Sequence, residues 1–110
     1  MSKLSKKKCI PCEGGVVPLT EAQAKTMMPE LDQGWMLIDG GRMLAKSFNF
    51  KNFVETMKFV NKIADVAEEE NHHPMMTVTY NMLSIELMTD AIQGLSENDF
   101  ILAAKIDELN

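Results

Sequence analysis

The stretch Glu68-Glu69-Glu70-Asn71-His72-His73-Pro74 gathers the residues best suited to moving protons. It holds both histidines of the chain, side by side. Imidazole is the side chain that titrates near neutral pH without help from its surroundings. Paired imidazoles beside a carboxylate suit general acid–base catalysis, in which one group gives a proton and another takes one. Glu68 is four residues before His72 and so on the same side of a shared helix, where a carboxylate would hold one ring nitrogen and fix the tautomer. By residue type alone, the pair serves equally well as a helix terminus with favourable charges.

Cys9-Ile10-Pro11-Cys12 is the second pattern with chemical potential. As a redox motif it lacks the strand-then-helix setting that depresses a thiol pKa. As half a zinc site it needs His72 and His73 as further ligands, and neighbouring side chains diverge. The expectation is no metal and no cofactor.

Composition limits the rest. The chain has 110 residues, enough for one domain with a single core, and 45% hydrophobic content argues against disorder. No apolar run approaches the ~20 residues of a membrane helix. The basic N-terminus lacks the apolar stretch of a signal peptide, so a cytoplasmic protein is expected. The net charge of −5 hides a basic tail of Lys3, Lys6, Lys7 and Lys8, without which the remainder carries −9. So acidic a body repels phosphate backbones, and no nucleic-acid partner is expected. Residues 1–17 read as a solvated, mobile tail with the cysteine pair, and residues 18–110 as the domain.

The elements that must position the histidines follow from spacing. Thr20 with Gln23 has the form of a capping box, and the helix it opens should end near Met28, before Pro29. Trp35–Ile38 and Met43–Phe48 read as strands joined across Asp39-Gly40-Gly41. Asn52, with Glu55 three residues on, starts a long helix whose stripe is Phe53, Met57, Val60, Ala64 and Ala67. Val54, Phe59, Ile63 and Val66 widen that surface beyond what one sheet needs, which suggests a subunit contact. Most of the ten methionines fall at core-periodic positions.

Pro74 pushes His73 out of helical geometry, so the helix should stop at Asn71 or His72. Met76, Val78 and Tyr80, then Leu83, Ile85 and Leu87, alternate as two strands. A two-residue turn at Asn81-Met82 pairs Tyr80 with Leu83, and the count then sets His73 opposite Asp90 and His72 opposite Ala91. Thr89-Asp90-Ala91 is thus expected across from the histidines. Ser96 caps a last helix with Asp99 at the third position, burying Phe100, Leu102, Ala103, Ile106 and Leu109. The order α-β-β-α-β-β-α belongs to the α+β class, a four-stranded antiparallel sheet with three helices packed on one face.

The motif Glu68-x-x-x-His72-His73-Pro74, followed by Tyr80, Gly94-Leu95-Ser96 and Asp99, resembles the pterin-4a-carbinolamine dehydratase family. The likeness covers nearly the whole chain, including Cys9-Ile10-Pro11-Cys12-Glu13-Gly14-Gly15, which resembles the opening of plant and bacterial type members. It implies a homo-oligomer, dimer or tetramer, that dehydrates 4a-hydroxytetrahydrobiopterin to the quinonoid dihydropterin without metal or cofactor. It also implies a functional link to an aromatic amino acid hydroxylase through tetrahydrobiopterin recycling. By the same resemblance His72 and His73 share proton transfer and substrate grip, Glu68 orients them, and Asp99 is the motif's final aspartate behind them. Pro74, Thr89, Asp90 and Ala91 complete the expected pterin site. One departure stands out. Ten residues after Tyr80 the family carries a histidine, or sometimes a tryptophan, and here the residue is Asp90. An ionised Asp90 would serve as a base, or would support the charge of His73. The alternative function implied is a catalytically weak pterin-binding or protein-interaction module, coactivator-like, working through the surface of helix 52–70.

Overall fold

The computed structural model describes residues 3–10 and 16–110. α1 (Glu21–Met27) opens on the predicted capping box: Gln23 N–H donates to the Thr20 hydroxyl, and Thr20 N–H donates to the Gln23 side chain. Pro29 converts its end into a short 3₁₀ turn. β1 (Met36–Ile38) and β2 (Met43–Asn49) pair antiparallel across Asp39-Gly40-Gly41, all three at positive φ. Gly41 is required twice over, by its φ of 87° and because a Cβ there would lie 2.9 Å from Glu21 Cβ, where α1 passes the turn.

α2 (Phe53–Glu70) is capped by Asn52, whose side chain accepts from Glu55 N–H at 2.9 Å. Its buried line is Thr56, Phe59, Ile63, Ala67 and Glu70, so of the expected stripe only Ala67 is fully buried. Phe53 and Val54 are exposed instead. The apolar arc is too wide for periodicity to choose its orientation. The choice falls to aromatic packing, with Phe59 5.0 Å from Phe48 and 5.2 Å from Phe50 between ring centroids.

β3 (Met75–Thr79) and β4 (Met82–Leu87) complete an antiparallel sheet of order β1-β2-β4-β3. Leu44, Phe48, Leu83, Ile85 and Leu87 project into the core beneath the three helices, as the α+β reading predicts. The turn, however, is at Tyr80-Asn81, with Thr79 paired to Met82 and Val78 to Leu83, two residues away from the expected register. A two-residue slip keeps every side chain on its own face, so alternation could not decide between the registers. The observed one leaves Tyr80 exposed at φ 49° and lets the Asn81 carbonyl accept from Phe50 N–H at 2.8 Å. A phenol is thereby kept off the buried face. The same count would now set Met88, not Asp90, across from His73.

α3 (Glu97–Leu109) is buried almost all round, from Asn98 through Ala104. The expected stripe on α3 explains only part of that burial. The rest comes from the basic N-terminal segment, which is not a mobile end over its described residues 3–10. Leu4 is buried in the core, and Lys105 Nζ donates to the Ser5 carbonyl at 2.8 Å. A helix apolar on every side needs such a cover. Nor do the described methionines fill the core. Met36, Met75 and Met82 are exposed and the others half-buried, so leucine, isoleucine and phenylalanine make the interior and the flexible thioethers its margins.

Candidate active site

α2 ends in a Schellman turn. Asn71 adopts the left-handed conformation at φ 52°, His72 N–H donates to the Ala67 carbonyl and Asn71 N–H to that of Glu68. This reversal decides which histidine meets which carboxylate. His73 swings back over the last turn, and its Nε2 lies 2.8 Å from Glu68 Oε1. His72, expected to be the partner of Glu68, points inward instead. Its Nε2 lies 2.6 Å from Asp99 Oδ1, with 11% of the His72 side chain exposed and none of the Asp99 side chain.

Asp99 both closes the cap of α3 and stands behind a histidine. Its Oδ2 accepts from Ser96 N–H at 2.9 Å, closing the capping box of α3, and from Thr89 Oγ1 at 2.7 Å. Thr89 has one hydroxyl proton, so the Ser96 hydroxyl donates to Thr89 Oγ1 across 2.7 Å. As a carboxylate Asp99 only accepts, which places a proton on the His72 Nε2 that faces it.

Thr89 belongs to the loop that follows β4. It bridges Gly94 across a short turn, Asp90–Ile92, which carries Asp90 and Ala91 outward, both exposed. Asp90 is therefore on a loop tip rather than at a ladder position. The loop still reaches the site: His72, His73, Pro74, Thr89, Asp90 and Ala91 all line one cleft of about 740 Å³. Glu68 and Asp99 stand behind the two imidazoles and outside the lining. Glu69, Glu70, Glu86 and Asp90 make the walls acidic, and no lysine or arginine is among the described residues that line them. Such a cleft suits a ligand rich in N–H groups rather than a phosphate.

Sequence reasoning missed one wall. Cys9 and Ile10, together with Asn98, also line the cleft. No local signal pointed there, since the contacts join residues 61 and 88 positions apart. The Cys9 thiol has its pKa pushed up to about 12, first by burial and then by the negative charges of Glu70 and Asp99. A thiol so held is not a nucleophile at neutral pH. Cys12 lies outside the described residues, and so does any pairing of the two cysteines. No helix among the described residues is long and apolar enough to cross a membrane.

Three comparisons bear on this geometry. Residues 17–109 match the family model described as pterin 4 alpha carbinolamine dehydratase. A relative from Nitrosomonas eutropha named for pterin-4-alpha-carbinolamine dehydratase is 51% identical over 106 residues, covering 96% of this chain and 92% of its own. A crystal structure described as a transcriptional coactivator/pterin dehydratase from Brucella melitensis superposes with a TM-score of 0.78 at 33% identity, over 84% of this chain and 97% of that one. A second solved structure, a pterin dehydratase-like protein identified as a RuBisCO assembly factor in the alpha-carboxysome, reaches 0.61 at 26% identity over 70% of this chain and 89% of that one. The fold, the paired histidines and the length of these matches agree: the chain belongs to the pterin 4 alpha carbinolamine dehydratase family.

Proposed function

We propose that this protein dehydrates 4a-hydroxytetrahydrobiopterin to quinonoid dihydropterin and water, in tetrahydrobiopterin recycling, as a hydro-lyase using its own side chains as acid and base. The observation that carries this reading is the buried Asp99 carboxylate 2.6 Å from His72 Nε2, with the His72 residue lining the cleft. The reaction breaks the C4a–O bond and removes the N5 proton. Electrons on N5 expel the oxygen, so an acid must meet the leaving hydroxyl and a base the N–H.

His72, held by the Asp99 carboxylate at 2.6 Å, serves as the acid. It protonates the leaving hydroxyl, which departs as water. Asp90, an exposed carboxylate lining the same cleft, takes the N5 proton in place of the family's histidine. His73, tethered to Glu68, grips the polar edge of the pterin. Pro74, Thr89 and Ala91 shape the walls. Homo-oligomer formation, a cytoplasmic location and a hydroxylase that consumes the recycled pterin belong to the same proposal.

The test is turnover of 4a-hydroxytetrahydropterin by the parent protein, His72→Ala and Asp90→Asn. The expected losses are about 10²–10⁴-fold for His72→Ala and about 10²-fold for Asp90→Asn. A His72→Ala protein as fast as the parent ends the mechanism.

A second reading has its own observation. Phe53 and Val54, at the start of α2, are 49% and 61% exposed, and solved relatives are described as a coactivator and an assembly factor. On that reading α2 docks a partner and the cleft turns pterin over slowly. An inert parent that Asp90→His activates would favour it.

A further inference from the structure

The N-terminal segment that covers α3 ends as a wall of the cleft, and its attachment is specific. Ile10 N–H donates to Asn98 Oδ1 at 3.0 Å, and Asn98 Nδ2 donates to the Ile10 carbonyl at 2.6 Å. One carboxamide thus satisfies both backbone groups of a single residue. One position earlier, Cys9 N–H donates to Glu70 Oε1 at 2.8 Å, and Glu70 pairs with Lys105 at 3.7 Å. Lys105 in turn donates to the Ser5 carbonyl at 2.8 Å.

The strap is therefore clipped to both elements that hold the acid. Glu70 is the last residue of α2, two before His72, and Asn98 precedes Asp99 on α3. Part-buried hydrogen bonds of this number fix a backbone, yet the residue they fix is apolar and 71% exposed. Ile10 lines the same cleft as His72 and His73. Holding an isoleucine rigid and in water is unfavourable unless something apolar covers it on binding.

We propose that Ile10 is a substrate-contacting residue, an apolar wall packed on the flat ring of the bound pterin and kept in place by the Asn98 clip. This inference rests on the dehydratase reading of the cleft and adds to it an apolar residue that sets affinity. Ile10 takes no part in proton transfer. Its loss is therefore read in binding and not in the chemical step. Asn98 is a positioning residue that acts through Ile10.

Steady-state kinetics on 4a-hydroxytetrahydropterin, with pterin affinity by fluorescence quenching, decide the matter. Ile10→Ala is expected to raise KM and Kd about three- to tenfold, and Ile10→Asp by more, with kcat within about twofold of the parent. Asn98→Ala is expected to raise KM to a similar extent, and the double variant to be no worse than Asn98→Ala alone, since an unclipped Ile10 no longer touches substrate. Unchanged KM and Kd in both Ile10 variants, beside an active parent, overturn the assignment of Ile10 alone. Additive effects of Ile10→Ala and Asn98→Ala overturn the clip. A parent that neither binds nor converts the pterin overturns the dehydratase reading and this inference with it.

Discussion

Asp99 lies at the crossing of two structural demands: it closes the capping box of α3 through Oδ2 and holds His72 Nε2 at 2.6 Å through Oδ1. One fully buried carboxylate therefore serves the fold and the proposed acid together. Replacing it with asparagine keeps the size and one acceptor but removes the charge behind the imidazole. Asp99→Asn should lose about 10²-fold in kcat while staying folded. Asp99→Ala should also cost about 1–3 kcal/mol, because buried Thr89 Oγ1 and Ser96 N–H lose their acceptor. Turnover and urea unfolding of the two variants separate the charge effect from the packing effect.

The second carboxylate–imidazole pair should behave differently. Glu68 and His73 are joined at 2.8 Å, yet their side chains are 80% and 54% exposed. Water screens such a pair, and surface ion pairs are worth about 0–1 kcal/mol. Glu68→Gln should leave the unfolding free energy nearly unchanged and shift KM more than kcat. A loss of turnover as large as that of Asp99→Asn would assign the acid to His73.

At the far side of the core, Asp107 holds three donors. Trp35 Nε1 reaches both its oxygens at 2.9 and 3.0 Å, Asp32 N–H lies at 3.0 Å and Lys46 Nζ at 3.0 Å. The Lys46 side chain is only 11% exposed and lies over Trp35 and Phe48. Removing the carboxylate leaves a nearly buried ammonium unpaired, so Asp107→Ala should lower the unfolding free energy by about 3–5 kcal/mol. None of these residues lines the histidine cleft, and kcat of the folded fraction should not change. Denaturant titration beside activity checks both parts.

Cys9 gives a pH dependence with a definite sign. Its thiol ionises near 9.0 in the unfolded chain and at about 12 in the folded one, mainly through burial. Below pH 9.0 it is neutral in both states and does not affect their balance. As pH rises from 9.0 toward 12 the unfolded state loses this proton first, so stability falls across that window. Cys9→Ala should flatten the decline in urea midpoint above pH 9.0. Peptide mapping after brief alkylation at neutral pH should find Cys9 unmodified until denaturant is added.

What the sequence determined by itself is local. Thr20 with Gln23, Ser96 with Asp99, the Gly40-Gly41 turn and the strand alternation depend on contacts within a few residues, and each produced the element it predicts. The likeness of the His72-His73-Pro74 motif identified the family for the same reason, because residue types and spacing are linear properties. Tertiary structure decided whatever depends on distance in space. A register slip of two residues leaves the pleat unchanged, so only the exposure of Tyr80 and the Phe50–Asn81 hydrogen bond could choose the turn. The left-handed Asn71 exchanged the partners of the two histidines. The wall built from Cys9 and Ile10 meets Glu70 and Asn98 across most of the chain, where no periodicity reaches.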